Sequence, residues 1–134
     1  WAIISDIEHS DRTISAIESI EVLEKPNESI LGLKWKETRK MFGQTATETM
    51  VVTGLEEGTE YVTEAWSHGS HYRSRVWVAE DGAGSRVGMT FSGRPTSTLT
   101  RILYLPLGLL MKGATRKALL KDLQEIRAAA ESGG

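Results

Sequence analysis

The residues best able to do chemistry in this sequence are Glu37 and Arg39, within the run LGLKWKETRKMFG. Two positions apart on an extended chain, they share a face with Trp35 and Met41. If that face closes over a cavity, burial raises the carboxyl pKa unless a cation pairs with it, and Arg39 is close enough to do so. The pair then offers acid–base chemistry. On a face open to water, the same two residues form an ion pair of small energetic worth. A second set, His71, Arg73, Arg75 and Trp77, also alternates onto one strand face. Turned inward, its two guanidiniums would polarise carbonyl oxygens of a bound substrate. The opposite register turns Tyr72, Ser74, Val76 and Val78 inward. It is the expected one, because the valines gain from burial and an unpaired buried charge is costly.

Other chemistries find little material. His9, His68 and His71 are the only histidines and there is no cysteine, so neither a disulfide nor a thiolate metal site is available. His68 and His71 flank a Gly-centred hairpin, but two imidazoles are too few for a structural zinc site; no metal is expected. No G-x-S-x-G elbow is present. DGAGSR joins two extended runs instead of opening a helix, so it reads as a hairpin turn and not as a phosphate loop. No cofactor is expected.

The elements that must position Glu37 and Arg39 follow from periodicity. Apolar residues at Trp1, Ile3, Ile4 and Ile7 suggest a short helix, and HSDRTISAI a second one capped by Ser10. From Ile17 to Arg94 the pattern is of strands: IESIEVLE, ILGLKWKETRKM, TATETMVVTG, YVTEAWS, HYRSRVWVAE and SRVGMTFSG, joined by short Gly-bearing turns. Short links imply an antiparallel meander. The tail is helical in period, with Leu119, Leu123, Ile126 and Ala130 as its apolar stripe and Lys117, Lys121, Asp122 and Glu125 mostly off it. Pro106 fits the first turn of a long helix preceded by a short one over 98–105, or else kinks a single helix. A curved sheet with one uncovered face and one long amphipathic helix makes an α+β architecture with the helix as lid.

Length and composition agree with one domain over 1–134: 134 residues, 40% apolar, 25% charged. The net charge of -2 gives no overall field for nucleic acid or for an anionic membrane, so no nucleic acid partner is expected. LYLPLGLLM (Leu103–Met111) is far shorter than the ~20 residues a membrane-spanning helix needs. Its neighbours are helical in period, so it reads as core in preference to a docking patch. Nothing at the start reads as a signal peptide, and a cytoplasmic protein is the default.

The order and spacing of WAIISDIEHSDRTISAIESIEVLE, LGLKWKETRKMFG, WVAEDGAGSRVGMTF and ATRKALLKDLQEIRAAAE resemble the START-like helix-grip (SRPBCC) superfamily, in its polyketide cyclase/dehydrase and lipid-transport branch. That resemblance implies a curved antiparallel sheet gripping a C-terminal helix, two small helices closing one end, and a cavity between sheet and helix. It also implies a strand before Trp1, carried by preceding residues or replaced at the open edge by a neighbouring chain; a homodimer is thus admitted. The expected function is binding or transport of a small hydrophobic or amphipathic ligand, lipid or polyketide-like. The alternative is a polyketide cyclase, aromatase or dehydratase using Glu37 and Arg39. Trp35, Met50, Trp66, Tyr72, Val76, Met89, Phe91, Leu107 and Met111 are the expected ligand contacts.

Overall fold

The computed structural model describes residues 1–41, 43–67, 69–95 and 98–132, without the side chains of Met41, Pro95 and residues 98–112. The order is a 3₁₀ helix (Ile7–Arg12), then β1 (Ile17–Glu24), β2 (Lys34–Met41), β3 (Gln44–Glu56), β4 (Glu60–Ser67), β5 (Ser70–Asp81), β6 (Gly84–Pro95) and α1 (Thr98–Glu131). The six strands form one antiparallel sheet in sequence order, the meander that the short turns predict. Those turns are tight because glycine supplies the left-handed conformation, as at Gly58 (φ 81°) and Gly82 (φ 62°).

Curvature has local causes. Register shifts interrupt β1–β2 between Ile17 and Ser19 and between Val22 and Glu24, and β3–β4 between Val52 and Gly54. Each such bulge bends its strand and increases the local twist. The sheet thereby gains a concave face, and α1 lies across it. Ile126 (7% exposed) and Asp122 (1%) are buried there, so the helix is seated on the sheet. Among the strands, α1 packs chiefly against β6.

The core sits at one end of the concavity. Ile4, Ile7, Ile14 and Ile17 close that end against Leu33, Trp35, Val52, Tyr61, Val76 and Ile126. Trp1 meets Tyr61 edge-on, with ring centroids 6.3 Å apart. Toward the opposite corner burial declines: Tyr72 is half-buried and Phe91 is 45% exposed.

Several expectations change in detail. The first of the two short helices is a hydrogen-bonded turn over 2–5, and the second is the 3₁₀ helix. Ser10 does not cap it; the residue lies inside, and its Oγ donates to the Ile7 carbonyl at 2.7 Å. The second strand starts at Lys34 and not at Ile30, because Gly32 (φ 92°) turns the chain and leaves Leu31 49% exposed. The tail is one helix through Pro106, not a short helix and a long one. On it, Asp122 faces the sheet and is buried, reversing its expected place.

Candidate functional site

Strand pairing decides which side chains share the concave face. Across β2–β3, Trp35 is opposite Met50, Glu37 opposite Glu48 and Arg39 opposite Ala46. Across β4–β5, Tyr61 is opposite Val76, Thr63 opposite Ser74 and Ala65 opposite Tyr72. Across β5–β6, Val78 is opposite Val87, Val76 opposite Met89 and Ser74 opposite Phe91. Because side chains alternate, the buried members Trp35, Tyr61 and Val76 assign all these pairs to the concave side.

Glu37 and Arg39 therefore point inward, with side chains 15% and 18% exposed. The reading of this pair as a wet-strand ion pair is overturned. Arg39 Nε donates to Glu37 Oε2 at 3.3 Å, and Trp35 Nε1 to Glu37 Oε1 at 3.4 Å. Arg39 Nη1 donates to Asp122 Oδ2 at 2.7 Å. The guanidinium is thus held in place by a carboxylate of its own strand and another from the helix. Its Nη2 has no partner among the described residues. No buried side-chain nitrogen or oxygen among the described residues lacks a partner.

Electrostatics follow from burial. Loss of water pushes the Asp122 carboxyl above the usual aspartate range, and the charge and hydrogen bond of Arg39 only partly oppose this. For Arg39 burial acts downward, but the fields of Glu37 and Asp122 outweigh it and leave the guanidinium more firmly protonated. The Tyr61 phenol is shifted far upward, first by burial and then by the charge of Glu37. It remains neutral. A hydroxyl pair, Thr63 Oγ1 and Ser74 Oγ at 2.5 Å, adds a further polar feature to the concave face.

The expected ligand contacts divide by face. Trp35, Met50, Tyr72, Val76, Met89 and Phe91 lie on the concave side; Tyr72 and Phe91 stack with centroids 5.7 Å apart. Trp66 does not join them. With Tyr61, Thr63 and Ala65 inward, the alternation of β4 turns Trp66 to the convex face, where it is 60% exposed and stacked on His71 at 4.8 Å. The side chains of Leu107 and Met111, like the rest of the run LYLPLGLLM, lie outside the described residues, as does His68.

The register that turns Tyr72, Ser74, Val76 and Val78 inward is the one observed. Its counterpart set is on the convex face: Arg75 pairs with Glu60, and His71 Nε2 lies 2.8 Å from Glu64 Oε1. Trp77 lies against Gly88, with Arg75 and Arg86 each 5.8 Å from its ring centroid. These arginines are therefore removed from any guest on the concave side.

Asp122 is the site residue that sequence reasoning missed. Its signal is the spacing Leu119, Asp122, Ile126, which keeps one helix face at steps of three and four. Elsewhere, a cleft of about 70 Å³ lies between the 3₁₀ helix and the β1–β2 connection, bordered by Asp6, Glu8, Lys25 and Pro26. It shares no lining residue with the concave-face set. Among the described residues no group of His, Asp and Glu is arranged to hold a metal ion, and no helix is long and apolar enough to cross a membrane.

Comparison with known proteins agrees with this geometry. No curated protein sequence matches the chain. Solved structures share its fold at low identity. TTHA0849 from Thermus thermophilus superposes with a TM-score of 0.69 at 18% identity, covering 96% of this chain and 87% of that one. The di-domain ARO/CYC BexL from the BE-7585A biosynthetic pathway gives 0.71 at 12%, covering 96% of this chain but 44% of that one. Ara h 8.0201 gives 0.61 at 14%, covering 95% and 85%. These likenesses establish the helix-grip fold. The model of the polyketide cyclase / dehydrase and lipid transport family matches residues 1–131, and the chain belongs to that family.

Proposed function

We propose that this chain, as a single helix-grip domain, binds a small apolar or amphipathic molecule between the concave face and α1, with Arg39 as its polar anchor. The observation that carries the reading is the contrast within one face. Trp35, Met50, Val76 and Met89 supply apolar surface, while Arg39 presents an unpartnered Nη2, among the described residues, from a guanidinium already fixed at Nε and Nη1. Fixing the group beforehand lowers the entropy a guest must overcome to bind it. A guest hiding ~300 Å² gains roughly 7 kcal/mol before association costs, at ~25 cal/mol/Å². Those costs remove several kcal/mol, so millimolar to micromolar affinity is expected. The test is titration with the neutral fluorophore 1-N-phenylnaphthylamine. Saturable enhancement, reduced by Met89→Glu on the concave face and not by Trp66→Ala on the convex face, supports the reading; no enhancement removes it.

Catalysis is the second reading, and one arrangement favours it. Ring closure of a polyketide needs a base for a proton beside a carbonyl and a donor for the enolate oxygen. Glu37, held by contacts of 3.3 and 3.4 Å, and Arg39 Nη2 offer those two roles on one strand. In this reading Glu37→Gln, which removes the base and keeps the Arg39–Asp122 pair, abolishes cyclisation of a poly-β-ketone thioester and leaves fluorophore binding largely intact.

A further inference from the structure

Resting on the binding reading above, the charge arrangement of the concave face narrows the class of guest. We infer that the site selects neutral molecules bearing an acceptor oxygen, such as ketones, esters and phenols, over carboxylates of the same carbon skeleton.

β2, β3 and α1 turn charged groups of both signs toward this space. Arg39 is the cation among the described residues. It is already matched by Glu37 on its own strand and by Asp122 on the helix. A third carboxylate, Glu48, sits directly across the β2–β3 ladder from Glu37 on the same face. It has no cationic partner among the described residues. The described groups thus present an excess of negative charge.

The donor geometry points the same way. A carboxylate is best held by two parallel N–H groups of one guanidinium fork. On Arg39 Nε is engaged by Glu37 and Nη1 by Asp122, so each fork has lost one of its two nitrogens. What remains is Nη2, which donates without a second free nitrogen to complete a fork. A ketone or phenol oxygen accepts that one bond and brings no charge toward Glu37 and Glu48. A carboxylate gains the same bond and meets their repulsion in a partly desolvated place, where charge interactions are poorly screened. An ammonium group would be drawn to Glu48 but has no lone pair to accept from Arg39 Nη2.

The experiment is competition against bound 1-N-phenylnaphthylamine with 2-decanone, decanoate and decylamine at pH 8 and low salt. The ketone is expected to displace the fluorophore at ~10-fold lower concentration than decanoate, a difference of about 1.4 kcal/mol. Glu48→Gln, at a position without an ion pair among the described residues, is expected to narrow that gap. Equal or tighter binding of decanoate overturns the inference, as does decylamine outcompeting the ketone. Displacement by none of the three, with the fluorophore bound, overturns it and leaves the binding reading standing. Failure of the fluorophore itself to bind removes both.

Discussion

Arg39 and Asp122, 83 positions apart in sequence, meet at 2.7 Å and join β2 to α1 through a nearly inaccessible carboxylate. This contact fixes the helix over the concave face and sets the direction of the guanidinium. Removing one member of a buried ion pair leaves an uncompensated charge and costs about 3–5 kcal/mol. Asp122→Ala is therefore expected to lower unfolding free energy by about that amount in urea titration. Asp122→Asn, which keeps an acceptor oxygen for Nη1, is expected to cost less.

The same carboxyl gives a pH dependence with a definite sign. Burial raises its pKa in the folded protein above the unfolded value, so between those two values the folded state binds more protons. Stability from this group is thus greatest at low pH and is lost as pH rises through the folded value. Urea midpoints of the natural chain and of Asp122→Asn, measured from pH 4 to pH 8, are expected to change relative to each other, the natural chain losing ground as pH rises. A pH-independent difference would contradict the shift.

On the convex face, Trp77 occupies the space a side chain at Gly88 would need. A Cβ there would fall 2.1 Å from the indole. Gly88→Ala is expected to displace the ring from beside Arg75 and Arg86 and to destabilise by about 1–3 kcal/mol, with a shifted Trp emission. Gly43→Ala meets no neighbouring atom and carries only the backbone strain of φ 77°, so a cost of about 1 kcal/mol or somewhat more is expected there.

Much of this architecture is legible from alternation alone. Trp35 has to be buried, and the two-residue period then carries Glu37 and Arg39 inward with it. Val76 does the same for Tyr72 and Ser74. The misreadings come from weighing residue type above position. An aromatic type argues for Trp66 inside, although Tyr61 fixes the parity of β4 against it. A charged type argues for Asp122 in water, although its spacing from Ile126 places it inward, and only Arg39 makes that burial tolerable. Leu31 reads as strand because tertiary context, the turn at Gly32, is invisible to local alternation. Bulges are equally hidden. They depend on pairing partners that a single strand does not specify.

Face assignment makes a further expectation. Trp66 and His71 stack on the convex side beside Glu64, whose carboxyl is held low by a hydrogen bond from Thr53 and then by His71. Trp66→Ala is expected to change stability by no more than about 1 kcal/mol, as is usual for exposed positions. Trp35→Ala, at 2% exposure in the core, is expected to cost about 3–5 kcal/mol.

Occupancy of the concave face by a guest can be observed residue by residue. Methyl and backbone NMR shifts on titration with 1-N-phenylnaphthylamine test it most directly. Saturable shifts concentrated at Met50, Val76, Met89 and Phe91 are expected. Shifts confined to Trp66, His71 and Trp77 on the convex face, or none at saturating fluorophore, would contradict it.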